Sequence, residues 1–156
     1  MDTAITPQFI GSIALMRHPE EGEKRWMTLW NPKRNQFEMV TALRLENDTY
    51  RECLDRELAW KLELQRGKEY LISSMARLHI EQELTLPGDK IPAFYAIEFY
   101  VVDPYGKPSF AKLDKRQDLH WLTTHEILAG FGPEDRAVDP RLVYLINKFE
   151  LISPYS

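Results

Sequence analysis

The stretch VTALRLENDTYRECLDRELAWKLEL, residues 40–64, joins a short apolar run to the strongest helix signal in the chain. Thr49 and Glu52 have the spacing of a capping box, in which a hydroxyl and a carboxylate accept hydrogen bonds from the free backbone N–H groups at a helix start. Every fourth residue from Tyr50 to Leu62 is apolar, which indicates one buried helix face. The stretch therefore predicts a helix over residues 49–64, with Gly67 past its end in the left-handed conformation.

Apolar runs bounded by turn residues lie on both sides of this helix and predict strands. Three runs precede it and are expected to pair as antiparallel neighbours: Phe9–Arg17, Arg25–Trp30 and Phe37–Leu43. The runs that follow are Tyr70–Leu84, Ala93–Val102 and Leu119–Leu122, and two further helices are predicted, from Thr123 or Thr124 to Leu128 and over Pro140–Ile152. Because no segment reads as a linker or a repeat, this order predicts one α/β domain, residues 1–156, in which helices flank a mixed sheet.

The composition is that of a soluble globular protein. The chain has 156 residues, a lone cysteine and a net charge of 20 − 24 = −4. The single Cys53 excludes an internal disulfide or a cysteine-rich zinc site, and the weak negative charge argues against binding to a nucleic acid polymer. No apolar run approaches the roughly 18 residues of a membrane span, and the first residues, 1–11, lack the pattern of a secretory signal. We therefore expect a cytoplasmic protein without a membrane segment.

The opening stretch resembles the Nudix box of the Nudix hydrolases, G-x5-E-x7-R-E-U-x-E-E-x-G-U, where U is a bulky aliphatic residue. Placing Arg56-Glu57-Leu58 on R-E-U aligns residues 42–64 with the whole pattern without a gap. The flanks agree, since residues 26–37 resemble the strand–turn–strand approach of the family and residues 121–128 its closing tryptophan, aliphatic and short-helix segment. The resemblance covers residues 9–130. It implies a Nudix-type α/β/α sandwich with a mixed, mainly antiparallel sheet.

The box departs from the family pattern at specific positions. Ala42 and Glu63 replace its two glycines, Asp48 replaces its first glutamate, and Trp60 and Lys61 replace its paired glutamates. In the family, those paired glutamates and the glutamate of R-E lie on one helix face and hold divalent cations, usually Mg²⁺, that bridge the diphosphate of the substrate. An indole offers no oxygen ligand and an ammonium repels a cation. The resemblance therefore implies a catalytically weak or inactive protein.

Our leading hypothesis is a Nudix-like protein that binds a nucleotide-like or other phosphorylated ligand, or a protein partner, with no cofactor expected. Glu57 is the candidate catalytic residue. Lys61 is a candidate phosphate ligand or a surface lysine, and Trp60 either stacks on a planar ligand or packs against protein. Arg56 either contacts the ligand or supports the loop before the helix. Glu98 interrupts an apolar strand and either faces the pocket or forms an ion pair.

Two alternatives stay open. The first is a divergent hydrolase of a nucleoside diphosphate derivative, in which Mg²⁺ or Mn²⁺ is held by carboxylates that converge from different elements. Its candidate metal ligands are Glu57, Asp48 and Glu52, with Glu98 as a further carboxylate. The second is a structural or interaction domain whose cleft is filled by Trp60 or Phe94. The sequence also leaves a homodimer open.

Overall fold

The computed structural model describes residues 7–20 and 22–154. Residues 1–6, Glu21 and residues 155–156 lie outside that description, and with them part of residues 1–11, the segment considered for a secretory signal. In chain order the elements are β1 (Gln8–Met16), β2 (Arg25–Asn31), β3 (Gln36–Glu38), β4 (Thr41–Leu43), α1 (Tyr50–Leu62), β5 (Tyr70–Ile72), β6 (Leu78–Leu84), β7 (Ala93–Pro104), α2 (Lys107–Asp114), β8 (Leu119–Thr123), α3 (Thr124–Ala129), a 3₁₀ turn (Pro133–Asp135) and α4 (Pro140–Lys148).

The strands form two sheets. The larger sheet has the order β4-β1-β7, and both β5 and β6 pair with the outer edge of β7. Its central pair, β1 and β7, is parallel, whereas its other pairs are antiparallel. The smaller sheet, β3-β2-β8, is antiparallel throughout. The prediction of a mixed, mainly antiparallel α/β architecture is confirmed, with the strands divided between two sheets.

Two apolar cores lie on opposite faces of the larger sheet. The first core includes Phe99 of β7 and is covered by α3 and α4, from which Ile127 and Leu145 contribute. The second core includes Val102 of β7 and the buried stripe of α1, of which Leu58 is fully buried. The parallel pair β1 and β7 contributes to both cores, because alternate residues of a strand point to opposite faces.

Helix α1 forms where the opening stretch predicts it. The Thr49 hydroxyl accepts a hydrogen bond from the Glu52 N–H at 3.0 Å, which satisfies a free donor of the first turn. The left-handed residue that ends the helix is Glu63, with φ of 56°, at the position of the second box glycine. The prediction that Gly67 ends this helix is therefore wrong, although Gly67 does have a positive φ, of 74°.

The structure differs from the predicted elements in further respects. The run Tyr70–Leu84 is two strands, β5 and β6, and the helix predicted over Pro140–Ile152 ends at Lys148. The runs Phe9–Arg17 and Arg25–Trp30 are not neighbours in one sheet, because β1 and β2 belong to different sheets.

Helix α2 was not expected, because only eight residues separate Gly106 from Lys115 and one of them is a proline. The predicted strand 37–43 is two strands, β3 and β4, which belong to different sheets. No helix in the described part of the chain is long and apolar enough to cross a bilayer.

Candidate functional site

A cleft of about 1170 Å³ is lined by residues from both sheets, α1 and α4. Its apolar residues come mainly from the first core and the adjoining strands: Phe9, Ile13, Leu29, Met39, Ile97, Leu142 and Leu145. Its polar residues are Asn31, Arg34, Gln36, Glu38, Thr41, Glu57, Lys61, Asp118, Asp139 and Arg141. A concave site with an apolar lining and a few polar groups is the usual form of a small-molecule binding site.

Helix α1 contributes two charged residues to the cleft wall. Glu57 and Lys61 are four residues apart, so their side chains lie one turn apart on the same helix face. Among the described residues, neither side chain has a hydrogen-bond or ion-pair partner. The cleft therefore presents one free carboxylate and one free ammonium next to each other.

Asp118 brings a second carboxylate to the same wall, just before β8. The Arg116 guanidinium donates to both Asp118 carboxylate oxygens at 3.0 Å and to the Lys61 carbonyl oxygen at 2.8 Å. These bonds join the start of β8 to the last turn of α1. The Arg116 hydrogen bonds, with help from the charge of Lys61, hold the pKa of Asp118 below its ordinary value. Asp118 therefore stays ionised beside Lys61 at neutral pH.

Two further carboxylates line the cleft on β3 and before α4. Glu38 accepts hydrogen bonds from the Asn31 amide at 3.0 Å and the Gln36 amide at 2.6 Å, and Arg34 lies 3.6 Å away. Asp139 is the N-cap of α4, where its side chain accepts a hydrogen bond from the Arg141 N–H. Burial raises the pKa of the Asp139 carboxyl. Both carboxylates are held by neighbouring groups.

A hydrogen-bond network includes two residues of the cleft wall, Arg141 and Tyr95. Arg141 of α4 donates to Asp89 at 2.6 Å and to the Tyr95 hydroxyl at 2.7 Å, and that hydroxyl donates to Asp89 at 2.7 Å. Asp89 also accepts from the Leu86 N–H at 3.0 Å. The Arg141 bond holds the pKa of Asp89 below its ordinary value. The network ties the loop between β6 and β7 to α4.

Four of the candidate residues of the box, Arg56, Asp48, Glu52 and Trp60, do not line the cleft. Arg56 donates to both carboxylate oxygens of Asp48, at 3.1 and 2.8 Å, and Asp48 also accepts from the Leu45 N–H. Arg56 and Asp48 therefore hold the loop that precedes α1. Glu52 is exposed in the first turn of α1. Trp60 is 74% exposed and is absent from the cleft wall.

Glu98 lies on the opposite face of the larger sheet from the cleft. Its carboxylate is 2.8 Å from His79 Nδ1 and accepts a hydrogen bond from the Tyr100 hydroxyl at 2.5 Å. Phe94 lines a separate, smaller pocket of about 360 Å³. The cleft is therefore open and is filled by neither Trp60 nor Phe94.

The residues of the box do not fit a resident divalent cation. Within residues 7–20 and 22–154, no three His, Cys, Asp or Glu side chains converge as metal ligands would. Glu57 is the box carboxylate that lines the cleft, while Lys61 places an ammonium beside it. Mg²⁺ requires several hard oxygen ligands, and this wall does not supply a cluster of them.

Sequence reasoning missed the part of the site that lies outside the box. Asp118, Arg34 and Glu38 follow no recognisable spacing, because they reach the cleft from separate parts of the smaller sheet: the turn before β8, the turn between β2 and β3, and β3 itself. Asp139 did carry a signal, since Asp-Pro is a typical start of the helix that was predicted from Pro140. That signal indicates a helix cap and does not indicate a ligand site.

Neither a protein-family model nor a curated protein matches the sequence. Among solved structures, the Nudix hydrolase RenU from M. smegmatis is 11% identical, with 91% of this chain and 84% of that one covered and a TM-score of 0.56. The Ap4A hydrolase of C. elegans is 12% identical over 91% of this chain and 97% of that one, with a TM-score of 0.54.

The NUDIX domain of Shewanella oneidensis NrtR, solved with ADP-ribose, is 10% identical over 94% of this chain and 89% of that domain, with a TM-score of 0.56. At such identities the likeness concerns the fold, and it extends over nine-tenths of the chain. The chain has the fold of the Nudix hydrolases, as the sequence resemblance predicts.

Proposed function

We propose that the chain binds a nucleotide-like or other phosphorylated small molecule in the cleft, and that it is a weak or inactive catalyst of metal-dependent diphosphate cleavage. The observation that supports this proposal is the free Lys61 ammonium on the cleft wall, at a box position where the family has a glutamate. A fixed ammonium binds phosphate oxygens as a point charge. A neighbouring Nudix domain was solved with ADP-ribose, which makes that compound the first probe.

Without a bound metal, the chain's own residues can bind and orient a phosphate but supply little stabilisation to the negative charge on the phosphate that departs when a diphosphate is cleaved. Lys61 and the apolar residues that line the cleft account for binding of the ligand. Glu57 is the candidate base, and it alone of the three box carboxylates remains. Loss of the metal removes several kcal/mol of charge stabilisation in the transition state, which corresponds to a rate loss of about 10³-fold or more.

Isothermal titration of ADP-ribose in EDTA, and separately of Mg²⁺ and Mn²⁺, tests the proposal together with a phosphate-release screen over nucleoside diphosphate derivatives. We expect ADP-ribose to bind without metal, and Lys61→Ala to weaken that binding by about tenfold, the loss of one charged hydrogen bond. Lys68→Ala is the matched control, because Lys68 is an exposed lysine in the turn after α1 and does not line the cleft.

The alternative hypothesis, a divergent metal-dependent hydrolase, predicts the opposite result. Robust turnover that depends on Mg²⁺ or Mn²⁺ and is abolished by Glu57→Gln would overturn the proposal in favour of a divergent pyrophosphohydrolase. Such an enzyme would have to use Asp118, which already lines the same wall as Glu57, since Asp48 and Glu52 do not line the cleft. Absence of binding by every phosphorylated probe would favour an interaction domain, for which the exposed Trp60 is the natural contact.

A further inference from the structure

The charges of the cleft wall narrow the class of phosphorylated ligand, an inference that rests on the proposed function. Three basic side chains line the cleft, and two of them are already tied to carboxylates. Arg34 lies 3.6 Å from Glu38, and Arg141 lies 2.6 Å from Asp89. Among the residues that the structure describes, Lys61 is the cation of this wall without an ion-pair partner.

The acidic side chains of the wall divide in the same way. Glu38, Asp118 and Asp139 each accept hydrogen bonds from neighbouring groups. Among the described residues that line the cleft, Glu57 is the carboxylate that accepts no hydrogen bond. Because Glu57 and Lys61 are four residues apart on α1, their Cβ atoms are about 5–6 Å apart. The groups left for a ligand are therefore one anion and one cation, side by side.

A diphosphate suits this wall poorly. It brings two or more negative charges and no ammonium to offset them, so the free Glu57 carboxylate would repel it at close range. A phosphate monoester alone carries a similar negative charge, so the amine is the group that distinguishes the favoured ligand. A ligand with one phosphate and one amine satisfies both groups: the phosphate oxygens accept from Lys61, and the ammonium donates to Glu57. The ionised Asp118 adds negative charge on the same side.

We propose that the cleft takes a phosphorylated amine, in which an ammonium lies a few ångströms from a phosphate monoester, in preference to a diphosphate. Glu57 makes the cleft selective for ligands that carry an ammonium, and Lys61 binds the phosphate. The apolar lining beside these groups accepts whatever carbon skeleton the ligand carries beyond its charged end.

Three small probes at millimolar concentration test this proposal by NMR titration in EDTA: O-phosphoethanolamine, ethyl phosphate and pyrophosphate. Phosphoethanolamine and ethyl phosphate differ by the amine. We expect phosphoethanolamine to bind about tenfold more tightly than ethyl phosphate, the increment of one close charge pair, and pyrophosphate to bind more weakly than phosphoethanolamine. Glu57→Gln should remove the difference without weakening ethyl phosphate. Lys61→Met should weaken both monophosphates, whereas Lys68→Met should change neither.

Each other result is decisive. Equal affinity for phosphoethanolamine and ethyl phosphate, tighter binding of pyrophosphate, or an amine preference that survives Glu57→Gln would overturn the inference. The proposed binding of phosphorylated ligands would stand in those cases. If none of the three probes binds, the inference fails, and the ADP-ribose titration then decides separately whether the proposed function fails with it.

Discussion

Ala42 and Glu63 replace the two glycines of the box, and the chain accommodates the two replacements differently. Ala42 is buried in β4 opposite Ser12 of β1. The close approach of these two strands depends on Gly11, because a Cβ at that position would lie 2.0 Å from the Ala42 carbonyl oxygen. The close approach of β1 and β4 therefore requires a glycine at position 11 of β1, and Ala42 of β4 is tolerated. Glu63, in contrast, adopts the left-handed conformation that favours glycine.

The left-handed backbone at Glu63 makes a stability prediction. Glu63→Gly should raise the free energy of unfolding by about 1 kcal/mol, because the side chain no longer opposes a positive φ. Glu63 is exposed, so the substitution removes no packing. Urea unfolding at 25 °C measures the change. Glu63→Ala is the control, since it removes the carboxylate and keeps the Cβ. An equal gain in that variant would show that charge, and not backbone conformation, is responsible.

Lys61 makes the second prediction at this scale, since its ammonium lies among carboxylates. Lys61→Glu should create a weak Mn²⁺ site from the new carboxylate, Glu57 and Asp118, with a dissociation constant on the order of 1 mM. Without metal, the like charges one turn apart should lower stability by about 0.5 kcal/mol. Added Mn²⁺ should restore it.

Thermal unfolding with and without Mn²⁺, together with titration calorimetry, measures both effects. Lys68→Glu makes the same charge change outside the cleft, and Mn²⁺ should not stabilise that variant. A Lys61→Glu variant that gains no Mn²⁺ affinity would mean that Glu57 and Asp118 do not converge on this position.

At the scale of elements, the edge of the larger sheet carries a histidine bridge between β6 and β7. His79 of β6 lies 2.9 Å from Glu81 on its own strand and 2.8 Å from Glu98 on β7. The ring of Tyr50, at the start of α1, packs edge-on against it at 5.3 Å. The hydrogen bond to Glu81 and the bond to Glu98 raise the pKa of His79. The protonated ring can donate to both carboxylates at once.

This bridge predicts a pH dependence of stability. The pKa of His79 is higher in the folded chain than in the unfolded one, so its contribution is fully present below the unfolded value of about 6.5. It is lost as the pH rises through the folded value. We expect the urea midpoint of the wild-type chain to fall as the pH rises through this range. The urea midpoint of the His79→Gln variant should fall less over the same range. His125→Gln, an exposed histidine of α3, is the control and should keep the wild-type slope. Identical slopes for wild type and His79→Gln would contradict the bridge.

Elements with a strong local pattern could be predicted from the sequence, and those defined by pairing could not. The spacing of a capping box and the fourfold apolar repeat of α1 depend on neighbouring residues, so the sequence predicts this helix. The run 37–43 reads as one strand because nothing local shows that Met39 and Val40 cross between sheets. Helix α2 is short, and it is stabilised by burial of Leu113 against the second core. Tertiary packing of this kind leaves no local signal.

At the scale of the whole molecule, the same distinction applies to the cleft. The box places Glu57 and Lys61 on one helix face, and the structure puts both on the cleft wall. Glu98 was a candidate because it interrupts an apolar strand, but strand alternation alone does not say which face meets the cleft. The Glu98 carboxylate forms hydrogen bonds with His79 and Tyr100 and does not line the cleft. The opposite wall arises from the smaller sheet and α4, whose positions follow only from the assembled fold.

The two cores share the central strands β1 and β7, and this arrangement predicts that the chain unfolds as one unit. Leu58→Ala empties part of the core under α1, and Leu145→Ala empties part of the core under α4; both leucines are buried. Each variant should lower the free energy of unfolding by about 2–5 kcal/mol. Each should also move one common transition, seen alike by far-UV circular dichroism and tryptophan fluorescence. Because β1 and β7 carry side chains of both cores, loss of these strands from one core also disrupts the other core. We therefore expect that neither core unfolds alone. A second transition in either variant would contradict the prediction of a single domain.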